Sequence, residues 1–376
     1  MSRVASRSDL KAFVDFPFRL YESYPHWVPP LRRDVAALLN RSKNPFFEHG
    51  DIVPFLARNS SGEVVGRIAA IVNGMHLRKY DDAVGFFGFF ECVEDPEVAR
   101  ALILAADAEL AVRGLKTMRG PANPSLNDVA GLLVGGFDRE PSIMMPYNPA
   151  YYVDYLASNG FKRVMTMWAY YVHRKYVQTE KLRRGVELVH RRTPGLRIRS
   201  LDMGRFRQEA SIILDLYNEA WSDNWGHVPM TEREFAHLAK EMKQIVDPRL
   251  VFIIEDDTGP VAFSITLPDL NLALKHVRDG RLLPLGLPKL LAYAKFGAVH
   301  ECRTLLMGVR KKYQGRGLDA VLNLATITEG PKLGYMASEL SWVLDSNAAM
   351  INSLHAIGAV VDKEYALFDR SITTAA

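Results

Sequence analysis

Leu305-Leu306-Met307-Gly308-Val309-Arg310-Lys311-Lys312-Tyr313-Gln314-Gly315-Arg316-Gly317-Leu318-Asp319 passes from an apolar run, through a basic turn with two glycines, into a helix-like segment that reaches about Glu329. Leu305 to Val309 reads as a strand. Small residues at 315 and 317 let the backbone turn sharply and present several N–H groups. The start of a helix adds partial positive charge at the same point. Such a nest fits a pyrophosphate, and Arg310, Lys311, Lys312 and Arg316 add charge around it. The loop is not a Walker loop, because no Gly-Lys-Ser/Thr follows. Nor does it have the three-glycine spacing of a dinucleotide loop.

The elements around this loop define a larger pattern. Leu250 to Ile254 and Val261 to Leu267 read as a hairpin about Asp256-Asp257-Thr258-Gly259. Asn347 opens a helix that stops before Gly358, and Glu364 to Phe368 closes as a strand. The same order occurs earlier in the chain. Helix-like residues 8–22 and a short helix near 31–40 lead to a hairpin over Pro54 to Val72, turning at Asn59-Ser60-Ser61-Gly62. A strand follows at Gly85 to Val93, then a helix from Pro96 to about Arg113 ended by Gly114, a helix over 149–159 and a strand from Arg163 to Val172. Gly62 and Gly259, Asn148 and Asn347, and Gly160 and Gly358 stand apart by a nearly constant offset of 197 to 199 residues. Matching order at one offset indicates an internal duplication. The expected division is residues 1–178, a linker at 179–196 where Lys181, Arg183, Arg184, Arg191 and Arg192 cluster, and residues 197–376.

The two copies differ. The first has a Pro/Gly/Asn-rich stretch from Gly120 to Tyr147. The second has an apolar and basic insert, Leu270 to His300. Where the second copy carries its glycine nest, the first reads Glu91-Cys92-Val93-Glu94-Asp95-Pro96, which is acidic and lacks the glycines.

Composition narrows the class. The chain has 376 residues, 48% hydrophobic and 24% charged, which suits two globular domains. A net charge of +4 does not mark a nucleic-acid binder. Two cysteines, Cys92 and Cys302, each within an apolar run, rule out a disulfide scaffold and read as packed thiols of a cytosolic protein. Residues 1–20 lack a secretory h-region, and no run of 18 uncharged apolar residues occurs. The expectation is a cytoplasmic protein.

The loop resembles the Arg/Gln-x-x-Gly-x-Gly/Ala signature of the GCN5-related N-acetyltransferase (GNAT) superfamily. Gln314 and Gly317 match, and Asp319 departs at the last small position. The resemblance implies an α/β fold with a mixed sheet, two tandem GNAT-like acyl-CoA N-acyltransferase domains, and coenzyme binding by Met307, Val309, Gln314, Gly315, Arg316, Gly317 and Leu318. It becomes narrower at Trp27-Val28-Pro29-Pro30-Leu31-Arg32-Arg33, Asn44-Pro45-Phe46-Phe47-Glu48-His49, Gly120-Pro121-Ala122-Asn123-Pro124-Ser125, Gly131 through Asp138, and Met144-Met145-Pro146-Tyr147-Asn148-Pro149 with Tyr151-Tyr152. These are similar to a tandem bacterial family that includes the bacterial ceramide synthases, which join an acyl-CoA to a sphingoid-base amine. The implied partners are acyl-CoA as cosubstrate and a lipid amine. No resident cofactor, no metal and no nucleic acid are expected.

N-acylation needs a neutral amine, a polarised thioester and a proton for the leaving thiolate. Many superfamily members use a Tyr four residues before the Gly that ends the last helix. Here Leu354 and Leu156 occupy those places, and His355 points about 100° away around the helix. Glu301 and His300 are the candidate bases. Tyr147, Tyr152 and Asp128 are candidates from the first copy, although aromatics at this spacing also fill cores. Asn123, Ser125 and Asn127 share the polar loop with Asp128 and suit either chemistry or turn capping. In the insert, Leu282, Leu283, Leu285, Leu287, Leu290, Leu291 and Phe296 lie among Lys275, Arg278, Arg281, Lys289 and Lys295. Such a face suits an acyl-chain channel, an anionic membrane surface or a plain helical cover. Acetyl transfer to a small amine, acyl-CoA sensing without turnover, and transfer of amino acids from charged tRNA to peptidoglycan precursors are the alternative readings.

Overall fold

The hairpins, the helix after Gly317 and the closing strand all form in the computed structural model, which describes residues 1–372 as a mixed α/β fold. Two compact units are present, and they do not follow the expected boundaries. Unit 1 contains Met1–Thr166, Ala273–Tyr293 and residues 364–372. Unit 2 contains Met167–Leu272 and Ala294–Lys363.

Unit 1 runs β1 (Ser2–Arg3), α1 (Arg7–Leu20), α2 (Arg32–Leu38), β2 (Gly50–Arg58), β3 (Val64–Asn73), α3 (Gly74–Tyr80), β4 (Val84–Cys92), α4 (Pro96–Val112), β5 (Thr117–Gly120), β6 (Ala122–Asn123), β7 (Val129–Ala130), β8 (Leu132–Gly135) and α5 (Tyr151–Ser158). Strands β1 to β5 lie in sequence order, antiparallel except for the parallel pair β4–β5. The next strand is the last of the chain, Val360–Ser371, antiparallel to β5 from Phe368 opposite Gly120 to Ser371 opposite Thr117. Pro96 opens α4, and the Asp95 side chain caps it by accepting from the Glu97 N–H. The buried face of α4, with Leu102, Ile103, Ala106 and Leu110, packs on Phe87, Met118, Tyr152 and Phe368. Asn148 does not cap α5. It is buried, its Oδ1 accepts from the Leu133 N–H (2.7 Å) and its Nδ2 donates to the Leu133 carbonyl (3.1 Å).

Strand β9 (Lys162–His173) enters unit 2. There follow α6 (Thr179–Arg192), β10 (Arg197–Ser200), α7 (Phe206–Ala220), α8 (Glu232–Met242), β11 (Val251–Asp256), β12 (Gly259–Pro268), α9 (Asn271–Leu274), α10 (Gly286–Lys295), β13 (Glu301–Val309), α11 (Leu318–Glu329), β14 (Ala337–Leu344), α12 (Ala348–Ala356) and β15 (Val360–Ser371). The unit 2 sheet has the order β9-β14-β13-β12-β11-β10, antiparallel except for β13–β14.

Two expectations are corrected here. Residues 179–192 are not a linker. Leu182, Val186 and Val189 recur at helical spacing, are buried and pack with Leu318, Val321, Leu322 and Leu354, while the arginines face solvent. Part of the insert, Ala273–Tyr293, belongs to unit 1 although it lies between two unit 2 strands in sequence. Ala273 and Val277 are buried there, Arg278 donates to the Trp27 carbonyl (3.1 Å), and the Arg32 N–H donates to the Gly280 carbonyl (3.0 Å).

Candidate functional site

The glycine turn forms as the sequence suggests. Gly315 and Gly317 adopt φ of +72° and +82°, a region in which only glycine is at ease. Gly317 is the residue before α11, and no side chain caps that helix. The Ala320 N–H turns back onto the Gly317 carbonyl (3.1 Å), while the N–H groups at the very start of a helix have no carbonyl one turn behind them and stay available as donors. Gln314 closes the turn by donating through Nε2 to the Val309 carbonyl (3.2 Å). Asp319 does not point its charge at the turn. Its Oδ2 accepts from Ser353 Oγ (2.6 Å), which ties α11 to α12.

The four cations around the turn are not equivalent, contrary to the sequence expectation. Arg310 is held by Asp215, by Glu219 and by the Pro260 carbonyl, and Lys311 pairs with Asp223 (2.7 Å). Those three carboxylates come from α7 and the residues just after it, which the sequence reading missed. Lys312 and Arg316 stay exposed, each over the ring of Tyr313 (5.5 and 5.3 Å). They supply the charge that an anion at the turn would meet.

The strand leading to this turn is paired with β14 over only part of its length. The parallel register runs from Glu301 opposite Ala337 to Thr304 opposite Leu340 and stops there. Both strands are irregular just beyond that point. The register of β13 against β12 shifts at Leu305, and that of β14 against β9 shifts between Leu340 and Val343. Bulges re-aim a strand and end its pairing. The result is a fork between Leu305–Val309 and Ser341–Leu344. Met307 and Val309, two expected coenzyme contacts, lie half-buried along it. The Trp221 indole donates to the Met307 carbonyl (3.2 Å).

A buried charge network sits where the strands part. Arg303 donates through Nε to Ser341 Oγ (2.9 Å) and through Nη2 to the Ser341 carbonyl (3.1 Å). Ser341 Oγ donates to Glu339 Oε1 (2.7 Å), and Lys363 Nζ donates to Glu339 Oε2 (3.3 Å) and to Asp362. Arg303, Glu339 and Lys363 are almost wholly buried. Isolated charges do not survive such burial, so the network has to stay complete. Sequence reading missed it, because its members come from three strands. The available signal was an Arg, a Glu and a Lys each inside a strand-like apolar run.

The sequence-predicted catalytic residues fall into two groups. Glu301 and His300 stand together at the closed end of the parallel pair. Glu301 accepts from the Tyr171 hydroxyl (2.9 Å), its carboxylate lies 3.9 Å from His300 Nε2, and His300 Nδ1 faces the Ala298 carbonyl (2.8 Å). Tyr147 and Tyr152 belong to unit 1, around Tyr21. Tyr152 has no exposed surface. Its hydroxyl donates to Glu91 (2.9 Å) and accepts from the Cys92 N–H (2.8 Å). Tyr21 donates to the same Glu91 carboxylate, and Arg67 stands 3.7 Å from it. Burial raises the Glu91 pKa, against the pull of Arg67 and the two hydroxyls. Burial also lifts Tyr152 well above the ordinary phenol range, with Tyr21 and Glu91 adding to it. Tyr152 is therefore a core residue. Tyr147 is half-buried, and its hydroxyl donates to the Phe137 carbonyl (3.3 Å). Asp128 lies between β6 and β7, with its N–H on the Ser125 carbonyl (3.1 Å). Asn123 and Ser125 act structurally, accepting from the N–H groups of Phe89 and Asn127.

The chain is 36% identical to the bacterial ceramide synthase of Caulobacter vibrioides (strain NA1000 / CB15N), over 98% of its own length and 96% of that protein. The chain belongs to the bacterial ceramide synthase family. A further relative, Protein YghO of Escherichia coli (strain K12), is 34% identical over 98% of the chain and 94% of that protein. No family model matches. The fold of the family member is that of tandem GNAT proteins. A tandem GNAT protein from the clavulanic acid biosynthesis pathway superposes with a TM-score of 0.59 at 12% identity, covering all of this chain and 98% of that one. A GCN5-related N-acetyltransferase from Sphaerobacter thermophilus gives 0.53 at 12% identity, covering 99% and 95%. This family member is thus an N-acyltransferase on a tandem GNAT fold.

Proposed function

We propose that unit 2 transfers the acyl group of a long-chain acyl-CoA to a lipid primary amine, with a sphingoid base as the leading acceptor. The observation that carries this reading is the fork between β13 and β14 leading into an uncapped, two-glycine helix start. Unpaired strand edges offer donors and acceptors to the amides of a pantetheine arm. The helix start, with Lys312 and Arg316 beside it, suits the pyrophosphate. Unit 1 lacks this arrangement, since Asp95 occupies the start of α4. The name of the Caulobacter relative supports the sphingoid acceptor.

In the reaction the amine nitrogen attacks the thioester carbonyl. An amide bond forms, the C–S bond breaks and the amine proton passes to the departing thiolate. Glu301, with His300 beside it, is the proposed relay that takes this proton from the amine and returns it to the thiolate, and the Arg303–Glu339–Lys363 network holds the fork in shape. The protein works in the cytoplasm at the inner face of the membrane, where such an amine resides.

The test is thiol release from acyl-CoAs of increasing length, with sphinganine, 3-ketosphinganine, spermidine and amino acids as acceptors. Each methylene buried in the site contributes about 0.8 kcal/mol, so long chains should outrun acetyl in kcat/KM. Gly317→Glu should weaken acyl-CoA binding more than about tenfold, because it puts a carboxylate at the helix start and a side chain where φ is +82°. Equal turnover of acetyl-CoA with a small amine would replace the lipid reading. Tight acyl-CoA binding without turnover would make the protein a sensor, and nuclease-sensitive activity would favour the tRNA route.

A further inference from the structure

The segment Arg281 to Tyr293 has an anchored base and an uncovered tip. At its base, His276 stacks on Tyr293 with ring centroids 3.8 Å apart at 8°. Lys275 pairs with Glu140 (3.1 Å). Gly280 has φ of +63°, and a Cβ there would fall 2.4 Å from the Phe18 ring, so this turn lies hard against α1. At Gly286 a Cβ would fall 1.8 Å from the Arg281 carbonyl oxygen, so the turn at 281–286 closes on itself. Above this base the apolar side chains are open to solvent. Leu283 is 75% exposed, Leu285 64% and Leu291 60%. Leu287, Leu290 and Leu291 recur at helical spacing on α10 and form an apolar stripe. A soluble fold usually turns such a stripe inward; here Leu290 is half-buried while Leu287 and Leu291 face solvent.

The charge around the stripe has one sign. From Gly280 to His300 the chain contains no Asp or Glu, while Arg281 and Lys289 are exposed among the leucines. We propose that Arg281 to Tyr293 is the surface by which the enzyme rests on an anionic lipid bilayer, the leucines entering the headgroup boundary and Arg281 and Lys289 meeting lipid phosphates. Apolar side chains rimmed by cations are what such an interface binds. A second copy is a poorer occupant, because a two-fold contact would bring the same cations against each other. Among the described residues no helix is long and apolar enough to cross a membrane, so this contact would be peripheral. The inference rests on the lipid acceptor proposed above and names the surface that brings the enzyme to it.

The experiment is flotation of the full chain with vesicles of phosphatidylcholine alone, and of phosphatidylcholine with about one-third phosphatidylglycerol. Thiol release with a water-soluble short-chain amine is assayed in parallel. Wild type should float with the anionic vesicles at low salt and be released at high salt. Arg281→Gln and Lys289→Gln should each weaken partitioning about fivefold. Leu285→Glu with Leu291→Glu should abolish it and leave thermal unfolding and short-chain thiol release unchanged, since both side chains are exposed. Wild type that stays at the bottom at low salt, or a double variant that floats as well as wild type, overturns the proposal. So does a wild-type dimer that the double variant converts to monomer, because a second copy would then cover the face. Flotation with no thiol release from long-chain acyl-CoA even when sphinganine is the acceptor would instead overturn the acyl-transfer reading and leave the surface standing.

Discussion

At Gly317 two demands meet. Its φ of +82° disfavours any side chain, and a Cβ would fall 2.8 Å from Val189 Cγ2 on α6. The residue thus serves both the turn and the close seating of α6 on unit 2. A second residue, Asp256, supports the same turn from the β11–β12 hairpin. It accepts from the Thr258 N–H (2.7 Å) and hydroxyl (2.6 Å), and from the Tyr313 hydroxyl. The bonds from Thr258 and then Tyr313 lower its pKa from 3.8 to about 2. A depressed carboxylate stabilises the fold above its unfolded pKa and loses that contribution as pH falls through its folded pKa. Asp256→Asn should therefore melt below wild type near neutral pH, and the gap should close as pH falls from 3.8 toward about 2. Because Asp256 is only half-buried and solvent still screens it, the gap should be small. Melting curves across that range check it, and a gap independent of pH would contradict the assignment.

Among elements, the β13–β14 fork depends on side chains that replace lost ladder bonds. Arg303 reaches the Ser341 carbonyl just beyond the last parallel pair, Thr304 with Leu340. It takes up a backbone acceptor that a longer ladder would otherwise satisfy. Arg303→Met keeps the bulk and removes the charge and its donors, leaving Glu339 with one fewer cation. Breaking a buried network on one side typically costs about 3–5 kcal/mol. Urea unfolding of Arg303→Met should show a loss of that order, and Arg303→Lys a smaller one. Unchanged midpoints would mean that the fork is held by the strands alone.

At the scale of the molecule, the sequence repeat and the compact units are different divisions of one chain. Residues 197–376 look like a complete second copy, yet unit 2 also requires β9, which pairs with β14 from His173 opposite Ala337 to Met167 opposite Leu344. The same piece carries β15 without β5 and β8, its partners in unit 1. Expressed alone, residues 197–376 should lack a cooperative unfolding transition and show poor near-UV circular dichroism. Residues 162–376, which restore β9, should do better. A sharp transition in the shorter piece would show that β9 is dispensable.

Much of the local structure was legible in the sequence. The glycine turn before α11, Pro96 at the start of α4, both hairpins and Asn347 at the start of α12 all rest on short-range rules of φ, capping and alternation, which neighbours along the chain decide. The tandem fold was legible because element order repeats at one offset. Residues 179–192 read as a linker because an arginine-rich face hides three apolar residues, and only the folded unit shows that they pack against α11 and α12. Asn148 matches the helix-opening Asn347 in the repeat but binds Leu133 instead, a partner fixed by a loop closure rather than by spacing. The fork, its Arg303–Glu339–Lys363 network, the diversion of Arg310 and Lys311 to Asp215, Glu219 and Asp223, and the exchange of β9 and β15 between units were set by tertiary structure alone. Each depends on which distant strand or helix lies alongside, and that choice follows from burying whole sheet faces, a property no single segment carries.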